Sequence, residues 1–115
     1  MDISKELNLS EFRKKIENFI QDRNWESYHT PKSLAIALSL EAAELLEHFL
    51  FQPDSFMPPN IDAFSEEMAD IFIYLLSLAN NLKIPSFSDV ILRKLEKNAQ
   101  KYPTEKFSGK NYRKQ

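Results

Sequence analysis

Residues 34–46 are LAIALSLEAAELL, and residues 68–79 are MADIFIYLLSLA. Ten of the thirteen residues in the first segment are apolar, and the strictly polar residues of the second are Asp70 and Ser77. A helix that is apolar nearly all round is buried nearly all round. Because a small helical monomer exposes one side of each helix, the two segments predict a pair of central helices and a further surface covered by a second copy of the chain.

Capping and proline signals around these segments predict four helices. Asn8, with Glu11 three residues later, begins a first helix that runs to about residue 22. Thr30 before Pro31 begins the second, which continues to about Phe51. Residues 51–60, FQPDSFMPPN, are a loop because they contain three prolines. The third helix runs from Asp62 or Ser65 to Leu82, and the fourth from Ser86 or Ser88 to a point before Pro103.

Length and composition favour one all-α domain, a four-helix bundle over residues 1–115, with a core at about 8–103 and a mobile basic tail at 104–115. The chain has 115 residues, one glycine and no cysteine. One glycine disfavours β-hairpin architectures and excludes glycine-rich phosphate loops. The lack of cysteine excludes disulfides, zinc–thiolate sites and thiol catalysis. The formal net charge of -2 is unlike that of a nucleic-acid-binding domain.

Targeting and membrane signals are not found in the sequence. The N-terminal residues MDISKELNLS contain no apolar run before a small-residue cleavage site. The longest uninterrupted apolar stretch, residues 71–76, is far shorter than a membrane span. We therefore expect a cytoplasmic protein that acts without a membrane partner.

Two pairs of carboxylates interrupt the apolar segments. Glu41 and Glu44 are three residues apart on the second helix, and Glu67 and Asp70 repeat this spacing on the third. A buried carboxylate must be protonated, paired with a cation or bound to a metal. Consecutive helices joined by a loop would bring the two pairs together, and such oxygen ligands suit Mg²⁺ or Mn²⁺.

Two other interpretations of the acids were considered. A di-iron carboxylate bundle needs Glu-x-x-His on two helices, whereas His48 lies four residues after Glu44 and the third helix has no histidine. The di-iron interpretation therefore fails, and His48 is expected at a surface or an interface. The second interpretation is a non-catalytic helical module whose acids form structural salt bridges with basic residues of the outer helices.

Further polar and aromatic residues could bind a ligand. Lys94, Asn98 and Lys101 share one face of the fourth helix, which is either an exposed basic face or a phosphate-binding surface. The connector RNWESYH, residues 23–29, is unusually aromatic for a loop. Its aromatic residues either close the end of the bundle or stack on a nucleobase. Stacking does not distinguish one base from another.

These residues together resemble the all-α nucleoside triphosphate pyrophosphohydrolases of the MazG kind, and within them the dCTP pyrophosphatase branch. The resemblance covers about residues 8–103. It is carried by the spacing of the two acidic pairs and by three segments in order: DRNWESYHTPKSLAIALSLEAAELLEHF, EEMADIFIYLL and KLEKNAQKYP.

The resemblance implies Mg²⁺-dependent cleavage between the α- and β-phosphates of a deoxynucleoside triphosphate, for removal of unwanted nucleotides. It implies that the four acids hold the metal, that Glu41 or Glu44 is the general base, and that the protein is a tetramer built from dimers. It also implies a base pocket lined by Trp25 and His29 with Tyr74 near the sugar and base, and phosphate contacts from Lys94, Asn98, Lys101 and Tyr102.

Two departures from the resemblance concern the choice of base. Phe51 stands where the vertebrate branch has a tryptophan, so the apolar wall is kept without an indole N–H. Ser33 replaces an asparagine that helps to contact substrate in the similar proteins. The substrate could therefore be dCTP, a modified dCTP, dUTP or phosphoribosyl-ATP.

Overall fold

The computed structural model describes residues 7–107 and residue 109, and all regular structure in this part of the chain is helical. The predicted all-α class is therefore confirmed. The chain divides into two compact units, Met1–Ile84 and Pro85–Gln115. A single domain, as expected from the length, stays a prediction. The helices are α1 (Leu9–Asp22), α2 (Pro31–Glu47), α3 (Ile61–Asn81), α4 (Phe87–Lys101) and the short α5 (Thr104–Phe107), with a 3-10 turn at Glu26–Tyr28.

Each long helix begins at a residue whose side-chain oxygen accepts a hydrogen bond from the backbone N–H three residues on, and such a cap contributes about 1 kcal/mol. The caps at Asn8, Thr30 and Ser86 agree with the predicted starts. Asn60 caps α3 through a 3.0 Å bond from the Ala63 N–H. The third helix therefore begins at residue 61, slightly before either predicted start.

Helix α2 ends four residues earlier than predicted. Residues 48–51 form turns instead, and Phe51 has a left-handed backbone with φ of 64°. The apolar residues there serve tertiary packing, because the ring of Phe49 lies edge-to-face against Phe56 at 6.0 Å and Phe64 at 5.5 Å. The prediction that the helix continues to residue 51 is therefore wrong, since apolar character alone does not distinguish a last helical turn from a packed loop.

Two helices end in left-handed caps that lack glycine. After α1, the N–H groups of Asn24 and Trp25 donate to the carbonyls of Gln21 and Ile20 at 3.0 and 3.1 Å. After α3, Lys83 and Ile84 repeat this pattern with Asn80 and Ala79, both at 3.1 Å. The residues in the left-handed conformation are Asn24 (φ 56°) and Lys83 (φ 57°). This is the Schellman arrangement, which satisfies the last carbonyls of a helix.

In the first unit, α3 packs against α2 and, over a smaller surface, against α1. Its buried centre contains Leu34, Leu76 and Ala79, with the small polar Ser77 beside them. A two-sided polar tie joins α1 to α3: Arg13 Nε donates to Asn80 Oδ1 at 2.7 Å, and Asn80 Nδ2 donates to the Arg13 carbonyl at 3.1 Å. Much of the apolar surface of α2 and α3 remains open in the single chain; Ile36, Leu40, Leu46, Met68 and Ile73 are exposed.

In the second unit, α5 folds back locally on the end of α4. The rings of Tyr102 and Phe107 meet edge-to-face at 5.2 Å. Residues 104–107, which were expected to belong to a mobile tail, are thus helical. The expected tail at residue 108 and at 110–115 lies outside the described residues. Between residues 7 and 107, no helix combines the length and the hydropathy needed to cross a bilayer.

Candidate active site

The two acidic pairs face each other across the α2–α3 contact. The pKa of the Glu41 carboxyl is raised above its usual 4.5, first by partial burial and then by the negative charge of Glu44. Asp70 and Glu67 raise it further, and Glu44 also acts through a side-chain hydrogen bond. Three carboxylates from two helices therefore influence Glu41, so the four acids lie near one another, as the sequence spacing predicts. They repel one another, so a cation among them would lower the free energy of the folded chain.

The acids are more open than the sequence indicates. Glu44 and Asp70 are exposed, Glu41 is half-buried, and the Glu67 side chain is 32% exposed. The expectation of buried carboxylates is therefore wrong for the single chain, because an apolar helix is covered only where a neighbouring element lies on it. Among residues 7–107 and 109, no three acidic or imidazole side chains converge tightly enough to hold a metal as they stand.

His48, which the sequence placed at a surface or an interface, contacts one of the acids. Its Nε2 lies 2.6 Å from Oε2 of Glu67, and its ring packs edge-to-face on Phe64 at 5.4 Å. Oε2 of Glu67 is buried and accepts no aligned hydrogen bond within the described chain. An open lone pair on a buried carboxylate oxygen fits a cation ligand.

The position of His48 fixes the direction of the two helices. His48 follows the end of α2 and contacts Glu67 in the first half of α3, whereas Glu41, earlier in α2, is influenced by Asp70, later in α3. The two helices are therefore antiparallel. Sequence spacing alone missed His48 as a site residue, although its position one turn after Glu44 is a usable signal, because residues four apart share a helix face.

No lysine or arginine in the described part of the first unit pairs with these acids. The acids there contact His48, from the end of α2 itself. A structural salt-bridge module would need basic partners from the outer helices. In this unit α1 supplies none, and its Arg13 binds Asn80 instead.

An apolar groove between α1 and α3 gathers the predicted base-binding residues. Trp25, His29 and Tyr74 line it together with Asp70, and its volume is about 680 Å³. The remaining lining residues come mainly from the apolar face of α1 and from α3: Phe12, Lys15, Ile16, Phe19, Ile20, Ala69, Phe72, Ile73, Leu76 and Ser77. A concave, mostly apolar site with a few polar groups is the usual form of a small-molecule pocket.

The α1 cap places Trp25 in this groove. Trp25 is the second residue after the cap, a position whose side chain commonly packs back on the last helical turns. Its ring meets Phe19 edge-to-face at 5.9 Å and stacks on His29 at 6.3 Å with an interplanar angle of 15°. The Arg23 guanidinium lies over the ring of Phe19, 3.6 Å from its centroid. His29 Nδ1 is buried without a hydrogen-bond partner in the described chain.

The two positions that depart from the resemblance have different surroundings. The Ser33 hydroxyl lies 2.8 Å from the Tyr28 carbonyl and 3.0 Å from that of Thr30, so it holds the connector on the first turn of α2. Phe51 is fully exposed and contributes no wall to a pocket of its own chain.

In the second unit, the predicted phosphate-binding residues occupy the last turns of α4. Lys94, Asn98 and Lys101 lie on one helix face, as their spacing predicts. The Tyr102 N–H donates to the Asn98 carbonyl at 2.8 Å, and Lys101 Nζ lies 5.4 Å from the Tyr102 ring. These four residues therefore form one local polar surface at the end of α4.

A second, more polar groove of about 430 Å³ is lined by Glu44, Glu47, His48 and Glu67. Asp70 thus lines the apolar groove, and Glu44 and Glu67 line the polar one. Carboxylate oxygens with few bulky neighbours are the donor set that Mg²⁺ uses when it keeps several waters and binds substrate phosphates. The chemistry of the residues therefore fits a magnesium ion.

Comparison with known proteins agrees with this arrangement. The MazG-like family matches residues 36–114, which include all four acids and α4. The chain therefore belongs to the MazG-like family. It is 34% identical to dCTP pyrophosphatase 1 of Bos taurus and 32% identical to that of Homo sapiens, each over 106 residues and 87% of this chain. It spans 62% of the length of these relatives.

A solved structure supports the fold. The crystal structure of a pyrophosphatase from Archaeoglobus fulgidus is 36% identical, with a TM-score of 0.75. The match covers 85% of this chain and 94% of the archaeal one. Similarity of this degree over nearly the whole archaeal chain supports a helical pyrophosphatase fold.

Proposed function

We propose that this protein is a Mg²⁺-dependent nucleoside triphosphate pyrophosphohydrolase that acts on dCTP or a modified dCTP. One observation carries the proposal: Asp70 belongs both to the acids that raise the pKa of Glu41 and to the wall of the groove that holds Trp25, His29 and Tyr74. The apolar groove and the cluster of carboxylates thus meet at one residue, Asp70. A nucleotide, with an aromatic base at one end and an anionic phosphate chain at the other, has this polarity.

Water adds to a phosphorus of the α–β anhydride, and the bond to the bridging oxygen breaks, to give a monophosphate and pyrophosphate. Glu41, Glu44, Glu67 and Asp70 would hold the metal. Bound there, Mg²⁺ or Mn²⁺ would neutralise phosphate charge and acidify a coordinated water. Glu41 or Glu44 takes up the proton of the attacking water, and the neighbouring acids that raise the pKa of Glu41 make its carboxylate a better proton acceptor.

The other residues bind and orient the nucleotide. Trp25 and His29, already stacked, provide a flat apolar wall for the base. Tyr74 lines the same groove and would lie near the sugar and base. On α4, Lys94, Asn98, Lys101 and Tyr102 supply the positive charge and the hydrogen-bond donors that a polyphosphate needs.

We also propose that the protein works as a homo-oligomer, a dimer or a tetramer. The exposed apolar side chains on α2 and α3 include Ile36, Leu40, Met68 and Ile73, and Phe51 after α2 is exposed as well. Monomers rarely expose so much contiguous apolar surface. A subunit laid on these helices would also reduce the exposure of the acids. A cytoplasmic location is part of the same proposal.

The test is pyrophosphate release from the eight common ribo- and deoxynucleoside triphosphates and dUTP, with Mg²⁺ and with EDTA. We expect Mg²⁺-dependent pyrophosphate from a few deoxynucleotides, with dCTP among the best substrates. Glu41→Gln should abolish turnover. Glu66→Gln is the matched control because Glu66 is exposed, neighbours the site acid Glu67 and lines neither groove. Orthophosphate as the first product would mean cleavage at a different bond, and activity that persists in EDTA would refute the metal role.

A further inference from the structure

His48 lies beside the acids, and the proposed reaction gives it no role. It lies directly after the last residue of α2, and its Nε2 is 2.6 Å from Oε2 of Glu67 on α3. The two side chains are only partly exposed, at 43% and 32%. The imidazole and the carboxylate thus make a direct polar contact between the end of α2 and the first half of α3, with both side chains partly shielded from water.

Packing holds the His48 ring in place. Phe64 lies one turn before Glu67 on α3, and its ring meets the imidazole edge-to-face at 5.4 Å with an interplanar angle of 74°. Phe64 is in turn packed by Phe49 at 5.5 Å. The imidazole is thus held by aromatic side chains from the end of α2 and the start of α3. This packing sets the position of Nε2.

A fixed imidazole restricts the carboxylate that it touches. Glutamate has three rotatable side-chain bonds and a large rotamer entropy to lose when it binds an ion. The contact of Oε2 with the imidazole restricts the rotation of the Glu67 carboxylate within the groove that it lines together with Glu44 and Glu47. Partners of metal-ligating carboxylates commonly act in this way, and their loss typically costs 10–100-fold in metal affinity.

We propose that His48 is a positioning residue that fixes the Glu67 carboxylate for a divalent cation held by the α2–α3 acids. The proposal rests on the proposed function, because it needs the acids to bind a metal. It concerns the orientation of one ligand and does not make His48 a ligand itself. A leucine at position 48 would preserve the apolar contact with Phe64 and remove the polar contact with Glu67. A glutamine places its amide nitrogen at a similar reach from the backbone.

The experiment is a Mn²⁺ titration of the full chain, with free Mn²⁺ measured by electron paramagnetic resonance and Mg²⁺ added as competitor. Wild type, His48→Leu, His48→Gln, Glu67→Gln and Glu66→Gln are compared at one pH, and thermal unfolding in EDTA checks that each variant is folded. We expect the dissociation constant to rise about tenfold in His48→Leu and to return to within about twofold of wild type in His48→Gln. Glu66→Gln should bind as wild type does.

The outcomes separate the two proposals. Wild-type protein that takes up no Mg²⁺-displaceable Mn²⁺, or a Glu67→Gln variant that binds as tightly as wild type, would refute the metal site and the role of His48 with it. A functioning site that is unchanged or tighter in His48→Leu would overturn the positioning role alone. Equal weakening in His48→Leu and His48→Gln would overturn it as well, since ring packing rather than a polar contact would then be responsible.

Discussion

Asn80→Ala should loosen α1 from α3 and destabilise the fold measurably. The substitution removes both hydrogen bonds of the tie, the 2.7 Å bond from the Arg13 guanidinium and the 3.1 Å bond to the Arg13 carbonyl. A bond to a charged group contributes about 1.5–3 kcal/mol and a neutral one about 0.5–1.5 kcal/mol. Since the pair is only partly buried, the low ends apply, which gives about 2 kcal/mol. Alanine regains up to about 0.5 kcal/mol in helix propensity.

The net expectation for Asn80→Ala is a loss of about 1.5 kcal/mol, or a fall in melting temperature of about 6–12 °C for a chain of this size. Urea unfolding followed by circular dichroism, at one protein concentration, measures it. The Michaelis constant for the nucleotide should also rise more than kcat falls, because α1 forms one wall of the apolar groove.

Asn81→Ala is the matched control. Asn81 is the next residue on the same helix, and its amide donates at 3.2 Å to the Ser77 carbonyl within α3, so it makes no tie to α1. We expect it to change the stability by less than about 0.5 kcal/mol. Equal stabilities of the two variants would refute the reasoning and would mean that apolar contacts alone hold α1 in place.

Two further predictions concern single backbone and side-chain positions. Lys83→Gly should stabilise the protein by about 0.5–1 kcal/mol, measured by thermal unfolding. A non-glycine residue in the left-handed conformation costs about 1–2 kcal/mol, which glycine removes. Part of this gain is lost because glycine makes the unfolded chain more flexible. Asn24→Gly should change little, since asparagine tolerates that conformation, and equal gains in both would contradict this account. Because the folded-state pKa of Glu41 is raised, its ionisation weakens the fold as pH rises through that value. In EDTA at neutral pH, Glu41→Gln should therefore have a higher melting temperature than wild type, and the difference should vanish well below pH 4.5. A lower melting temperature of the variant at neutral pH would contradict the repulsion among the acids.

Local signals in the sequence predicted most of the helical framework. The caps at Asn8, Thr30 and Ser86 depend on side chains within three residues of the backbone groups that they bind, so the sequence contains all the information they need. The spacing of the two acidic pairs is also local, and the structure places them on facing helices.

Contacts between distant residues were not predictable in the same way. The tie between Arg13 and Asn80 joins residues 67 positions apart, and no pattern in one sequence pairs them. The contact of His48 with Glu67 depends on where α2 ends, which in turn depends on the packing of Phe49. The exposure of Glu44 and Asp70 was misjudged for a related reason: apolar composition shows that a face needs covering but not which element covers it.

The connection between α2 and α3 has a kinetic consequence. Only residues 48–60 separate these helices, whereas the tie between α1 and α3 closes a loop of 67 residues. Loop-closure entropy makes the longer closure about 1.5 kcal/mol more costly. The hairpin of α2 and α3, which carries all four acids, should therefore form early in folding, with α1 joining it later. Because α1 joins last, it should also detach first. Chain opening would then expose the apolar groove between α1 and α3 before it separates the acids.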